Sequence, residues 1–543
     1  MRSTPPRKYR LELGSRSVPK GTIMSDRANT ESGLEKFGNN IKALKASFLG
    51  SMLRGGKPVS DRSRAAAMFN NFFLHIQGVK THVNTLRPTY TWGLGLITFF
   101  LLMITIATGV LLMVYYSPSI ENAYNSVKDL NFVVFGGRLL RNMHKWGGEG
   151  MIIFVLLHMA RVFYTGSYKK GREFNWVIGI ILLMLTFGLN LTGYMLPWDQ
   201  LSYWALVIVS NIMQASKEVT DALGITAYTD IGGVMKELFL GGSIPGKETL
   251  NRVYLLHIMF LPLVIFIFLG VHFWRVRKDG GLTRPENFEL QDSDHDYAEL
   301  PNKKQGTFPR TKTYGLMELA HGKTPAVNRD IENTVMSWPN LLIAEAAVLV
   351  LCCATVLIYA YYVDAPLREF ANASIPENPA KAPWYFLGLQ ELVSYSAFMG
   401  GMGLPGLALA GLILIPYLDR EQEHIGVWFS NRQGKKEALH AFLLGTVGLI
   451  CVLAFVINFG WFRSWWPNIP QLVITFINPG VIWCAFIVGW SLRVIKKTGS
   501  TRMGAISMFT MFLVSYVILT YVGTEMRGPN WDFFWSKSQW PIH

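Results

Sequence analysis

Nine runs of apolar residues, each near the length that carries a helix across a bilayer, constrain this chain more than any other feature. A hydrocarbon core of about 30 Å takes about 20 helical residues. Runs of that kind fall at approximately 92–116, 147–166, 174–196, 250–274, 338–362, 402–418, 438–461, 474–495 and 503–523. The sixth is the shortest and holds Gly411 and Pro416. In lipid every backbone polar group must be satisfied within the protein, and runs this long do so as α-helices. The expected fold is an all-α polytopic membrane protein.

Composition sharpens what is excluded. Charged residues make up 16% of the chain, against about a quarter in soluble domains. Cys352, Cys353, Cys451 and Cys484 all sit in apolar stretches with no CxxC pairing, so neither a disulfide framework nor a thiolate metal site is expected. The absence of CxxCH likewise argues against a covalently attached c-type haem. Of the net charge of +15, residues 1–87 carry +11, from 16 Lys/Arg against 5 Asp/Glu. No aromatic interleaving or nucleic-acid motif accompanies that charge, so nucleic acid is not read as a partner. Basic residues beside a first span instead place the N-terminus inside. Lys169, Lys170 and Arg172 after span two, and Arg493, Lys496, Lys497 and Arg502 between spans eight and nine, agree with that orientation. Nine crossings then put the C-terminus outside.

These features divide the chain into a basic extension, 1–87, and a four-helix half, 88–280. A polar connection, 281–336, leads to a second half, 337–465, and two further spans with a tail, 466–543. The segment 197–246 interleaves apolar and polar residues, as helices lying on a membrane surface do. The segment 364–404 holds Pro366, Pro376, Pro379 and Pro383 and then aromatics; loops of that length are usually functional or disordered, and its apolar content argues against disorder.

Chemistry concentrates on four histidines. His144 and His158 lie on span two, 14 residues apart, and His257 and His272 on span four, 15 apart. At 1.5 Å and 100° per residue, each pair is about 21–22 Å apart and returns to within about 40° or 60° of one face. Spans two and four run in the same direction, so His144 faces His257 near the outer side and His158 faces His272 near the inner side. Each pair can hold a planar metallocofactor between two imidazoles, and haem is the natural occupant. A single membrane histidine is more readily a hydrogen-bonded core residue, but four in matched registers favour ligands. A zinc centre needs tighter clustering. Gly95 and Gly109 on span one, and Gly179 and Gly193 on span three, repeat the 14-residue spacing, and bare backbone admits a flat ring closely. Arg141, Arg161, Arg252, Arg275 and Arg277 lie near the membrane edges, where guanidinium groups can pair with haem propionates.

Together these residues resemble the cytochrome b family, the membrane core of cytochrome bc-type quinol oxidoreductases, over roughly 80–465. The resemblance is carried by Trp92–Gly95, Ala107–Gly109, Arg141–His144, His158–Arg161 and Tyr164–Tyr168. It continues in GYMLPWDQ at 193–200, TLNRVYLLH at 249–257 and HFWRVRK at 272–278. Pro197-Trp198-Asp199-Gln200, the 15-residue spacing and Arg277 look closer to the plastid-type branch, which splits the protein into two chains. That branch attaches an extra haem at a cysteine where this chain has Gly93, so no extra covalent haem is expected.

The resemblance implies two non-covalent b-type haems with bis-histidine ligation, a quinol-oxidising site outside and a quinone-reducing site inside. The family's Pro-Glu-Trp-Tyr signature reads Ala382-Pro383-Trp384-Tyr385 here. Pro383 thus replaces the glutamate associated with proton acceptance, and Glu377 and Glu391 are the candidate substitutes. Tyr385 would hydrogen-bond the quinol, and Tyr194, Trp204 and Ala205 match lining positions. Arg277, Lys278 and Asp279 are the candidates for the inner site. The missing glutamate hints at a menaquinol-type substrate. Implied partners are a Rieske iron–sulfur protein and a c-type cytochrome, in a dimeric, proton-translocating complex of a bacterial cytoplasmic membrane. A dihaem membrane anchor of another quinone-linked oxidoreductase is the close alternative, and a histidine-relay transporter the distant one. The last two spans extend past the family core and receive no role beyond packing against another subunit.

Overall fold

The computed structural model describes residues 41–42, 58–71, 74–279, 334–419 and 421–541. Residues 1–60 and 61–543 form two units. Of the first, Ile41 and Lys42 are helical; everything below concerns the second. Most of the basic extension and residues 281–333 of the polar connection lie outside the described residues.

Among the described residues, nine helices are long and apolar enough to cross a membrane. They are Leu94–Met113, Gly137–Tyr164, Glu173–Tyr194, Lys247–Lys278, Ser337–Tyr362, Met399–Leu418, Arg432–Trp465, Gln471–Thr498 and Thr501–Met526. All nine expected spans are present. The second begins about ten residues earlier than hydropathy suggested, because its polar first turns are satisfied by the chain after span five. Arg138 makes two hydrogen bonds to the Asp364 carboxylate, at 2.5 and 2.8 Å. Asn142 donates to the Ala360 carbonyl, and Trp146 donates to the Val363 carbonyl. A hydropathy window reads those turns as solvent, whereas the fold reads them as a docking face.

Spans one to five share a core of Leu101, Leu102, Ile104, Met151, Leu189, Ile265, Cys352 and Val356. Polar residues in the first span are tolerated because Thr98 and Thr108 bond back to the carbonyls of Leu94 and Ile104, as lipid-embedded hydroxyls must. A second core, at the His158 end, joins Met159 and Phe163 of span two to Ile415, Val494, Ile506 and Phe509 of later spans. Helices Gln200–Gln214 and Ile231–Leu240 fill the segment after span three; Asp199 and Asp230 cap them by accepting from the amides of Ser202 and Gly233. After span five, the helix Trp384–Val393 follows directly on Pro383.

Two short strands, Lys80–His82 and Thr334–Met336, pair antiparallel. Beside them the helix Asp61–Asn70 packs on span five, and Gln77 donates to Glu345 at 2.7 Å. The last part of the basic extension is therefore folded onto the membrane core. The ninth span is also integral: it packs within this chain against spans seven and eight and against the helix Trp384–Val393.

Candidate functional site

His144 and His257 stand with ring centroids 6.1 Å apart and planes at 75°. Two nitrogen–metal bonds of about 2 Å, plus about 1 Å from each nitrogen to its ring centre, span about 6 Å. The separation is the one that a single metal between two imidazoles requires. The second-sphere contacts are matched. Thr108 Oγ1 lies 3.1 Å from His144 Nδ1, and Thr192 Oγ1 lies 3.1 Å from His257 Nδ1, with the Leu189 carbonyl at 3.1 Å. Occupying Nδ1 in this way leaves Nε2 of each ring as the ligating atom. At the other end His158 and His272 lie further along the same two helices, and the His272 Nδ1 is buried without a hydrogen-bond partner among the described residues.

The 15-residue spacing on span four has a local explanation. Leu256–Phe260, which contains His257, is a π-helical turn, with the Leu261 amide bonded to the Leu256 carbonyl. Pro262 follows and has no amide to continue the α pattern. A π turn absorbs one residue, so 15 residues act as 14 and the two rings return to within about 40° of one face. Span four thereby recovers the register that span two has by count.

Each of the four glycines lies against an imidazole. A Cβ on Gly193 would stand 2.7 Å from His257 Cε1, on Gly95 3.0 Å from His158 Cε1, on Gly109 3.0 Å from His144 Cε1, and on Gly179 4.0 Å from His272 Cε1. The element that the bare backbone accommodates here is thus the histidine edge, which fixes how far each ring extends into the bundle. The facing imidazoles of His144 and His257, an apolar surround and this glycine cradle fit haem, which takes two axial nitrogens and an apolar pocket.

The arginines diverge. Arg141 donates to the carbonyls of Ala365 and Pro366, at 2.8 and 2.6 Å, tying down the chain after span five. Arg161 is buried and lies over the Tyr90 ring at 5.4 Å. Arg252 donates to the Leu238 carbonyl, and Arg275 to the Gly171 carbonyl at 3.1 Å. Arg277 is exposed near Lys278, whose ammonium lies 4.8 Å from the Trp274 ring; the Asp279 side chain lies outside the described residues.

At the His144 end, Pro383 caps the helix that carries Trp384 and Tyr385. Tyr385 is buried, its ring lies 5.9 Å from Phe187 at a tilt of 43°, and its carbonyl accepts from Tyr516 at 3.0 Å. Burial holds its phenol well above the ordinary tyrosine range. Tyr194 ends span three two helical turns beyond Phe187, on the same face. Trp204 and Ala205 lie on the first surface helix, where Ala205 is buried and the Trp204 indole N–H is buried without a hydrogen-bond partner. Glu377 is held above the usual carboxylate range, first by burial, with Arg368 opposing.

Glu391, a candidate acceptor by sequence, is fully buried and engaged. Arg527 grips both of its oxygens, at 2.5 and 2.9 Å, and Trp531 donates at 3.0 Å. Nothing near Glu391 in sequence announces an arginine 136 residues away. Sequence reading also passed over Lys145 and Glu149, an i,i+4 ion pair at 2.5 Å on span two. Lys145 Nζ lies 5.5 Å from the Tyr194 ring centre. The available signal was a glutamate inside a membrane span.

Comparisons with known proteins bear on this arrangement. Residues 80–280 match the family described as cytochrome b/b6/petB. Cytochrome b6 of Gracilaria tenuistipitata var. liui is 39% identical over 202 residues, 37% of this chain and 86% of that protein. Cytochrome b6 of Prochlorococcus marinus is 39% identical over 202 residues, 37% of this chain and 85% of that protein. Among solved structures, a chain of a hyperthermophilic respiratory Complex III shares the fold at a TM-score of 0.52 and 20% identity, over 80% of this chain and 92% of that one. The sequence likeness thus stops near the end of span four, and the likeness in fold runs on through the second half. With its two histidine pairs set on spans two and four, the chain belongs to the cytochrome b/b6 family.

Proposed function

We propose that this chain is a dihaem cytochrome b that oxidises quinol at the His144 end and reduces quinone at the His158 end, within a membrane complex that moves protons. The observation that carries this reading is the facing His144–His257 pair at 6.1 Å, with a second pair 14 and 15 residues further along the same helices. Bound haem supplies reversible one-electron transfer. His144 and His257 would hold one haem, and His158 and His272 the other. Thr108, Thr192 and the Leu189 carbonyl hold Nδ1 of the first pair, orienting both rings, and the glycines set their depth.

Tyr385, Trp384, Tyr194 and the unpartnered Trp204 N–H would form the quinol pocket, a phenol and an indole being suited to a quinol's hydroxyls. Arg277 and Lys278 would meet the quinone at the opposite end. Glu391 is bound to Arg527 and would act as a brace for the pocket helix. The one-electron acceptors outside this chain would be a Rieske iron–sulfur protein and a c-type cytochrome, in a dimer within a bacterial cytoplasmic membrane, with the N-terminus inside. The pocket's departure at Pro383 favours a menaquinol-type substrate.

A reduced-minus-oxidised spectrum of the purified complex, with haem extraction and counting, tests the reading. Two extractable b-type haems per chain, both reducible by quinol, are expected. One haem, or none, in an intact preparation overturns the paired-ligand reading.

A further inference from the structure

A carboxylate inside a membrane span is costly and marks function more often than not. Glu149 sits in the middle of span two, 15% exposed, with the Lys145 ammonium 2.5 Å from its oxygen. Five residues along a helix turn it about 140° away from His144, so it lies off the imidazole face. It lies on the pocket side: the Lys145 ammonium that holds it stands 5.5 Å from the Tyr194 ring centre. Two other carboxylates near this pocket, Glu391 and Asp199, are committed. Glu391 is gripped by Arg527 and Trp531. Asp199 accepts from Ser202 and from the Arg368 amide. Glu377 sits among Arg368, Glu369 and Asp199. Glu149 is held by a lysine on a flexible stem, a partner that can follow or leave it.

We propose that Glu149 is the proton acceptor of the quinol-oxidising site, in the role a loop carboxylate cannot fill because Pro383 stands there. The proposal rests on the quinol-oxidising function above. A quinol O–H bond breaks, an O–H bond forms on the Glu149 carboxylate, and the electron leaves to a one-electron acceptor of the iron–sulfur or haem class. Lys145 keeps its charge, so the pair passes from neutral to +1, which favours handing the proton onward to the polar loops at the His144 end. The second hydroxyl proton follows by the same route after Glu149 is unloaded. Among the described residues, Lys145 on its own helix holds Glu149, Tyr194 at the end of span three stands by the Lys145 ammonium, and Tyr385 lies on the loop helix of the same pocket. Tyr516 of the ninth span backs Tyr385.

The test is Glu149→Gln and Glu149→Asp in the intact complex, with infrared difference spectra on quinol addition beside quinol-driven reduction rates. General-base loss predicts a fall of about 10²-fold or more in rate for Glu149→Gln, with KM and both haem spectra unchanged. The protonated-carboxyl band raised by quinol in the wild type should vanish in Glu149→Gln and shift in Glu149→Asp, whose pH–rate profile should move on its acid limb. A wild type that oxidises quinol beside a Glu149→Gln complex with the same rate and the same band overturns this proposal alone. If Glu149→Gln fails to assemble, an Asp variant with an unmoved profile and band also overturns it. A wild type holding two haems that oxidises no quinol overturns the quinol reading and this proposal together.

Discussion

Of the most apolar 18 residues of the fourth span, Lys247–Lys278, 11% are buried, against 50% in the ninth, Thr501–Met526, although the fourth is the more apolar of the two. The fourth carries His257 and His272 and packs mainly on span three. The ninth carries no cofactor candidate and is surrounded. Lipid tails are as apolar as leucine, so apolar content does not draw helices together; close packing and polar ties do. The ninth span is rich in both. Gly504 and Ala505 pack closely, Thr510 meets Tyr164 at 2.9 Å, Trp483 donates to Ser515 at 2.8 Å, and Ser491 donates to the Gly504 carbonyl at 3.0 Å. Arginines lock its two ends. Arg502 joins Tyr168, Lys169 and Asp419 in a buried network with the Phe163 carbonyl. Arg527 holds Glu391 of the pocket helix. Among the described spans the most buried is a scaffold, and of the two ligand-bearing helices the fourth is the lightly held one.

That contrast breaks first at Arg502. Arg502→Ala leaves Asp419 buried with a weakened partner set, and disrupting a buried pair costs about 3–5 kcal/mol. Thermal unfolding in detergent should fall sharply, and both haems should be lost together. A variant that unfolds normally would mean that the ninth span is not the scaffold. Next is Arg527→Ala, where Arg527 is itself 11% exposed; losing hydrogen bonds to a buried charge costs about 1.5–3 kcal/mol. Quinol KM should rise while both haems remain, since the pocket helix loosens and the histidines are untouched.

The fourth span should respond in the opposite way, through its cofactor and not its fold. Gly193→Ala puts a methyl group 2.7 Å from His257 Cε1, whereas Gly179→Ala puts one at 4.0 Å from His272. Haem counting should show Gly193→Ala losing one haem of two and Gly179→Ala losing none, with the unfolding midpoint nearly unchanged in both. Equal effects from the two glycines would remove the imidazole-depth argument.

The smallest effect is at Asp364, outside the spans. The Arg138 hydrogen bond, then that of Asn142, holds its carboxyl below the usual range. A depressed carboxyl contributes stability above its unfolded value, near pH 4, and loses it as pH falls through the folded value. Asp364→Asn should therefore cost under about 1 kcal/mol at pH 7, as exposed pairs do. It should also flatten the loss of stability as pH falls below about 4.

Much of the first half was legible because it rests on periodicity. Span lengths, the histidine registers and the matching glycines are local properties of a helix, and counting residues recovers them. The 15-residue spacing looked like a misfit of 60°; the π turn before Pro262 resolves it, and that turn depends on a hydrogen-bond choice that counting cannot see. The glycines were legible as a pattern, but their contact is to the imidazoles. Arg141 was legible as an edge cation, yet the carbonyls it holds belong to the chain after span five.

By itself the sequence determined the membrane class, the nine spans, the facing of His144 and His257 and the family, because each follows from residue spacing along one or two helices. Only the tertiary structure decided which charges meet. It placed Arg527 on Glu391, Arg502 among Lys169, Tyr168 and Asp419, and the Lys145–Glu149 pair beside Tyr194 and Tyr385. Those partners come from helices far apart in the chain, and in an apolar solvent a charged group must find its partner in space, wherever the chain delivers it.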